Sequence, residues 1–167
     1  MANSSIIGKV KNKIIKEFIK DKEIIAALDA QCESSPEELV NHHIFDFHQN
    51  PNTITTVKTF ITIQVHIPQS FNSYYGSSSN TYVYPTIEIW IISNHSHMVV
   101  NNVPKVTKNR NDYLSELIDR KLNGRSDFGL GKLTLDSNIE GSYQMDYPYR
   151  KMTFRCVDLN NSLCEEE

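Results

Sequence analysis

The pair His95 and His97, separated by Ser96, is the most suggestive arrangement for chemistry in this chain. In an extended segment, residues two apart point to the same side, so both imidazoles could reach one metal ion. A third ligand would have to come from elsewhere, from Asp112 or from one of His42, His43 and His48. Two ligands do not make a site, and the plainer expectation is a pair of exposed polar histidines in a loop. A second group, His42, His43, Asp46 and His48, also mixes metal-binding residue types. Ile44, Phe45 and Phe47 are interleaved with it, which reads as a segment that packs by its apolar side chains.

Other chemistry finds less support. Gly124, Gly129 and Gly131 lie between a helical and a strand-like stretch, whereas phosphate loops run from strand to helix and end in G-K-[ST]. These glycines are expected to let the chain turn tightly onto a sheet. No G-x-S-x-G elbow occurs. The three cysteines, Cys32, Cys156 and Cys164, have neither disulfide-framework nor zinc-site spacing. Cys156 sits in a strand-like run and is expected in the core. Glu88 and Asp112 are isolated acids. The chain is therefore expected not to be an enzyme and to need no cofactor or metal. A small metal-dependent enzyme using His95 and His97 is the alternative of a different class.

The elements that would position these residues can be read from periodicity. Ile7, Val10, Ile14 and Phe18 are spaced three and four apart, which makes a helical stripe. Ile24, Ile25 and Leu28 continue it after Asp21, a cap that could separate two helices. Ser35-Pro36-Glu37-Glu38 has the pattern of a capping box and predicts a short helix over about 36–42. Residues 53–67 and 82–92 alternate as strands. Ile61, Ile63, Val65, Ile67, Ile87, Ile89 and Ile91 face inward. Pro85 predicts an edge or a bulge. Residues 93–109 read as irregular. A helix follows over about 111–123, with Leu114, Leu117, Ile118 and Leu122 buried and Asn123-Gly124 as its stop. Strands are expected at 131–136 and 149–158, the latter with Met152, Phe154 and Cys156 inward. The predicted fold is α+β: a single mixed or antiparallel sheet of about four strands with helices packed on one face. The expected organisation is a helical segment 1–34, a core domain 35–160 with a projecting loop 68–82, and a flexible acidic tail 161–167.

Composition bounds the remaining possibilities. The 167 residues are 39% hydrophobic and 22% charged, which suits one globular domain. The net charge of −3, from 17 basic and 20 acidic residues, supplies no basic field for gripping nucleic acid. The opening MANSSIIGKVKNK lacks a signal-peptide apolar block, so the protein is expected to stay in the cytoplasm in which it is made, with no membrane partner. The outward strand positions carry Phe60, Tyr84, Trp90 and Ile92, more apolar surface than a lone domain is expected to expose. The loop 68–80 adds Phe71, Tyr74 and Tyr75 around the small residues Gly76 to Ser79. Phe60, Phe71, Tyr74, Tyr75 and Trp90 are the candidate interface residues.

Three stretches together carry a resemblance to a known family: Asn41 to Pro68, residues 109–137 (NRNDYLSELIDRKLNGRSDFGLGKLTLDS) and residues 149–160 (YRKMTFRCVDLN). Over roughly residues 35–160 the chain resembles the neck and tail-terminator-like proteins of phages and prophages of Gram-positive bacteria. The resemblance implies a compact α/β subunit in a hexameric ring on the tail tube, at the junction between tail and head. Its partners would be itself, tail-tube and neck or connector proteins, and DNA in passive transit. Its place would be the virion, after assembly in the host cytoplasm. The resemblance carries over no functional residue. Arg110 and Asp112, which open the third predicted helix, read equally well as a helix-capping pair.

Overall fold

A computed structural model describes residues 5–29, 35–53, 59–67, 82–83, 85–156 and 158–159. The first apolar stripe forms α1 (Ser5–Phe18), and the second forms α2 (Lys22–Leu28). The chain breaks between them because Asp21 adopts an extended conformation and accepts hydrogen bonds from the Glu23 and Ile24 N–H groups at 2.9 and 3.3 Å. This satisfies donors that a helix start leaves without partners. Helix α3 (Arg110–Leu122) is capped by Asn109, whose side chain accepts from the Asp112 N–H at 2.8 Å. The cap is thus Asn109 rather than an Arg110–Asp112 pair. After α3 the chain turns through Gly124, Gly129 and Gly131, all at positive φ, as the glycine-punctuated stretch predicted.

The strands are β1 (Ile44–Phe45), β2 (Thr59–His66), β3 (Tyr82–Val83), β4 (Thr86–Ser93), β5 (Thr134–Tyr143), β6 (Tyr147–Arg155) and β7 (Asp158–Leu159). Five of them form one mixed sheet in the order β1-β2-β4-β6-β5, with β1 parallel to β2 and the other pairs antiparallel. Strands β3 and β7 make a separate two-stranded ladder. The fold is α+β as expected, with five strands in the main sheet rather than about four.

The inward face is the one the alternation predicts. Ile61, Ile63, Ile87, Ile89 and Phe154 are fully buried, and Leu117 is 4% exposed. They share one core with Val10, Ile14 and Phe18 of α1, Ile24 and Leu28 of α2, and Leu114 and Ile118 of α3. All three helices therefore pack on the same side of the sheet, and the N-terminal helices are part of the domain's core. Cys156 is buried there too.

Several expectations are corrected. The segment after Ser35 is a 3-10 turn over Pro36–Leu39, and the Ser35 side chain makes no capping bond. The strand expected at 131–136 starts at Thr134 and runs for ten residues. Pro85 marks a real break: β4 starts after it, and its carbonyl accepts from the Cys156 N–H at 3.1 Å. Of the expected projecting loop 68–82, residues 68–81, with the candidate interface residues Phe71, Tyr74 and Tyr75, lie outside the described residues, as do Tyr84 and the tail 161–167.

Candidate interaction surface

Strand register turns the second face of the sheet into a grid. Its first row is Phe60, Ile92, Tyr149 and Gly141, on β2, β4, β6 and β5. The next is Thr62, Trp90, Lys151 and Ile139, with Phe45 of β1 beside Thr62. Then come Gln64, Glu88, Thr153 and Ser137, and last His66, Thr86, Arg155 and Thr134. One end of this face is aromatic and the other is charged.

At the aromatic end, part of the surface is already covered. Phe60 and Ile92 are 1% exposed and Phe45 is 5% exposed. Phe45 and Phe60 meet edge to face at 5.9 Å, and Phe47 stands against Phe45 at 5.6 Å. The expectation that Phe60 and Ile92 stand exposed is therefore corrected. They point outward from the helical side, but they form a second small core with Phe45. Phe60 is too deeply buried to act as a contact residue.

Trp90 is different. It is half-buried, with Tyr149 tilted against it at 4.8 Å, the His48 ring edge-on at 5.4 Å, and the Lys151 ammonium 5.1 Å from its centroid. Lys151 is held there by Glu88 at 2.9 Å. Trp90 Nε1 and Thr62 Oγ1, which sit on directly paired residues, are both buried without a hydrogen-bond partner among the described residues. A buried donor without an acceptor costs free energy, and the described residues leave this donor and this hydroxyl unpaired beneath the surface. Around it, Phe47 is 45% exposed and Ile139 54%, with Met145 projecting from the β5–β6 turn. Tyrosine and tryptophan are residue types that anchor protein interfaces.

The candidate metal residues are not brought together. His95 and His97 lie in a 3-10 turn (His95–His97) instead of an extended segment, because Asn94 accepts from the Ser96 N–H at 3.0 Å and closes the turn. Both ring nitrogens of His97 are engaged: Nδ1 lies 2.9 Å from Thr59 Oγ1, and Nε2 lies 2.9 Å from Asp29 Oδ2. His43 is buried with Nδ1 2.9 Å from the Thr59 carbonyl, and Asp112 holds Arg150 at 2.6 Å. Among the described residues, no three His, Cys, Asp or Glu side chains are placed to share a metal ion.

The polar network under this turn joins residues far apart in the chain, so no local pattern marks it. Thr59 donates to Ser93 Oγ at 3.0 Å, Ser93 donates to Asn111 Oδ1 at 2.6 Å, and Asn111 donates to the Pro148 carbonyl at 2.9 Å. Arg110, 2% exposed, donates to the carbonyls of Ala27, His97 and Val99. Burial pushes its guanidinium below the ordinary arginine range, and Asp29 opposes that. Thr59, Ser93 and Asn111 are also buried, so this network braces the irregular stretch 94–109 against α2 and β2 and presents nothing to solvent.

No curated protein matches the chain. A family model, YomW, matches residues 12–156, from the middle of α1 to the end of β6. That span covers all three helices at least in part and the whole five-stranded sheet, and the chain belongs to the YomW family, a phage-associated family.

Proposed function

We propose that this chain is a structural virion assembly protein with no catalytic role, acting as a tail terminator that forms a ring at the head–tail junction. The observation that carries the reading is the asymmetry of the sheet. The described helices cover one face, while the other carries a partly exposed aromatic patch of Trp90, Tyr147 and Tyr149. Such a patch fits a subunit that finishes its surface against neighbours. Membership of a phage-associated family supports the same setting. Partners on this reading are further copies, six in a closed ring, together with tail-tube and neck proteins and DNA in passive transit. The place of action is the virion neck or tail, after assembly in the host cytoplasm.

A connector, stopper or tail-completion role differs only in stoichiometry and neighbours. The enzyme alternative through His95 and His97 is disfavoured by His97, whose two ring nitrogens are already engaged.

Electron microscopy and light scattering of the purified protein, alone and mixed with tail tubes, test the reading. Closed rings, or rings capping tube ends, are expected, and Trp90→Ala should abolish them while leaving the fold intact. A wild-type protein that stays monomeric and ignores tail tubes would overturn it.

A further inference from the structure

The sheet ends differently on its two sides. One edge is β1, two residues long, and the other is β5, ten residues long and paired, among the described residues, only with β6. An uncovered strand edge presents N–H and C=O groups that accept another strand. The start of β5 is blunted: a bulge falls between Leu135 and Ser137, and Asn123 Oδ1 accepts the Leu135 N–H at 3.2 Å. From Ser137 to Tyr143 no hydrogen bond closes the outer edge among the described residues, and that stretch contains no proline and no lysine.

The register of β5 limits how a second strand can be added. Ser137, Ile139 and Gly141 lie opposite Thr153, Lys151 and Tyr149 and share the outward face. Asn138, Glu140 and Ser142 lie opposite Met152, Arg150 and Pro148 and share the helical face. A copy of β5 that continues the sheet antiparallel must match face to face, so odd residues pair with odd and even with even. Centring the pair on Glu140 sets two carboxylates opposite each other, which is repulsive. Centring it on Asn138 sets Glu140 across from Asp136 of the copy. Centring it on Ile139 removes both conflicts. Ile139, 54% exposed in the subunit, then meets its own copy. On the other face, each Asn138 amide meets a Glu140 carboxylate, twice by symmetry. Ser137 faces Gly141, where the absent side chain leaves room for the Tyr149 ring lying over that position.

We infer that β5 is a self-association edge, pairing antiparallel with β5 of a second copy about Ile139 to give a continuous ten-stranded sheet. The contact is two-fold, with the same patch on both subunits. It is separate from the head-to-tail contacts that a ring requires, and it stands or falls apart from the ring.

The test is cross-linking at β5, in a background where Cys32 and Cys164 are replaced by serine and the buried Cys156 is kept. Facing residues of an antiparallel pair have Cβ atoms about 4.5–5.5 Å apart, so Ile139→Cys should oxidise readily to a covalent pair of chains. Ser142→Cys should not, because residue 142 faces residue 136 of the copy. Without cross-linking, Ile139→Lys should weaken pairing by about tenfold or more, since it sets two ammonium groups opposite each other, with the circular dichroism spectrum unchanged. Equal cross-linking at both positions, or unchanged pairing in Ile139→Lys, overturns the inference. So does a ring that assembles while Ile139→Cys stays uncross-linked. Cross-linked pairs without rings support it and count against the ring alone.

Discussion

Arg110 Nη1 donates to the carbonyl oxygen of Ala27 at 2.5 Å, across 83 residues of sequence. That bond puts a cation at the C-terminal end of α2, where unpaired carbonyls and the helix dipole favour positive charge. The same guanidinium donates to the His97 carbonyl at 2.7 Å and the Val99 carbonyl at 3.0 Å, so it joins α2, α3 and the irregular stretch between β4 and α3. Arg110→Ala should leave three inward carbonyls without donors and cost about 3–5 kcal/mol, measured by denaturant unfolding. Arg110→Lys should recover only part of that, because an ammonium does not reproduce the planar fork. A loss below about 1 kcal/mol for the alanine variant would show that water replaces the guanidinium.

Asp21 links local capping to pH. Partial burial pushes its carboxyl up, but hydrogen bonds from Lys121 and from the Ile24 and Glu23 N–H groups outweigh burial and leave it below the ordinary aspartate value. A carboxyl depressed on folding binds fewer protons in the folded state. Its contribution is therefore full above the unfolded value of about 3.9, and is lost as pH falls through the folded value. Asp21→Asn keeps a capping side chain but removes the charge, so its stability should fall less steeply than wild type below about pH 4. Asp21→Ala should cost about 0.5–2 kcal/mol at neutral pH. Parallel acid limbs for wild type and Asp21→Asn would contradict this account.

The two faces of the sheet should respond differently to truncation. Ile89 is fully buried between the sheet and the helices, and Ile89→Ala should cost about 2–5 kcal/mol by thermal or denaturant unfolding. A cost under about 1 kcal/mol would mean that the site collapses without leaving a cavity.

Phe60 and Trp90 share the other face but not the same fate. Phe60→Ala should cost about 3–5 kcal/mol, because the ring fills the small core with Phe45 and Ile92. Trp90→Ala should cost less stability than that and should act mainly on assembly, because part of the Trp90 ring stays exposed on this face. Reversal of the two effects, with Phe60→Ala stable and assembly-defective, would shift the interface to β1.

The sequence by itself determined the elements whose residues carry their own pattern. Alternation in TFITIQVH and TIEIWIIS marks β2 and β4 and assigns their inward isoleucines. Three- and four-residue spacing marks the helices, and Asp21 marks the break between the first two. These signals are local, because each side chain's position on a strand or helix follows from its neighbours in sequence. Strand β5 was legible only at its start. TLDSNIEGSY sits on an edge with much of both faces exposed, so it needs no alternation, and pairing with β6 decides its length. β1 has two residues and no pattern to read, yet its parallel pairing with β2 puts Phe45 beside Thr62 and helps bury Phe60. The burial of Arg110 was equally invisible, since its three acceptors lie 11, 13 and 83 residues away. His95 and His97 were visible as residue types. Only the fold decided that Asn94 curls them into a turn and that Thr59 and Asp29, from β2 and the end of α2, take both nitrogens of His97. Periodicity reports which way a side chain points relative to its own element, whereas what covers it depends on segments distant in sequence that only tertiary packing brings together.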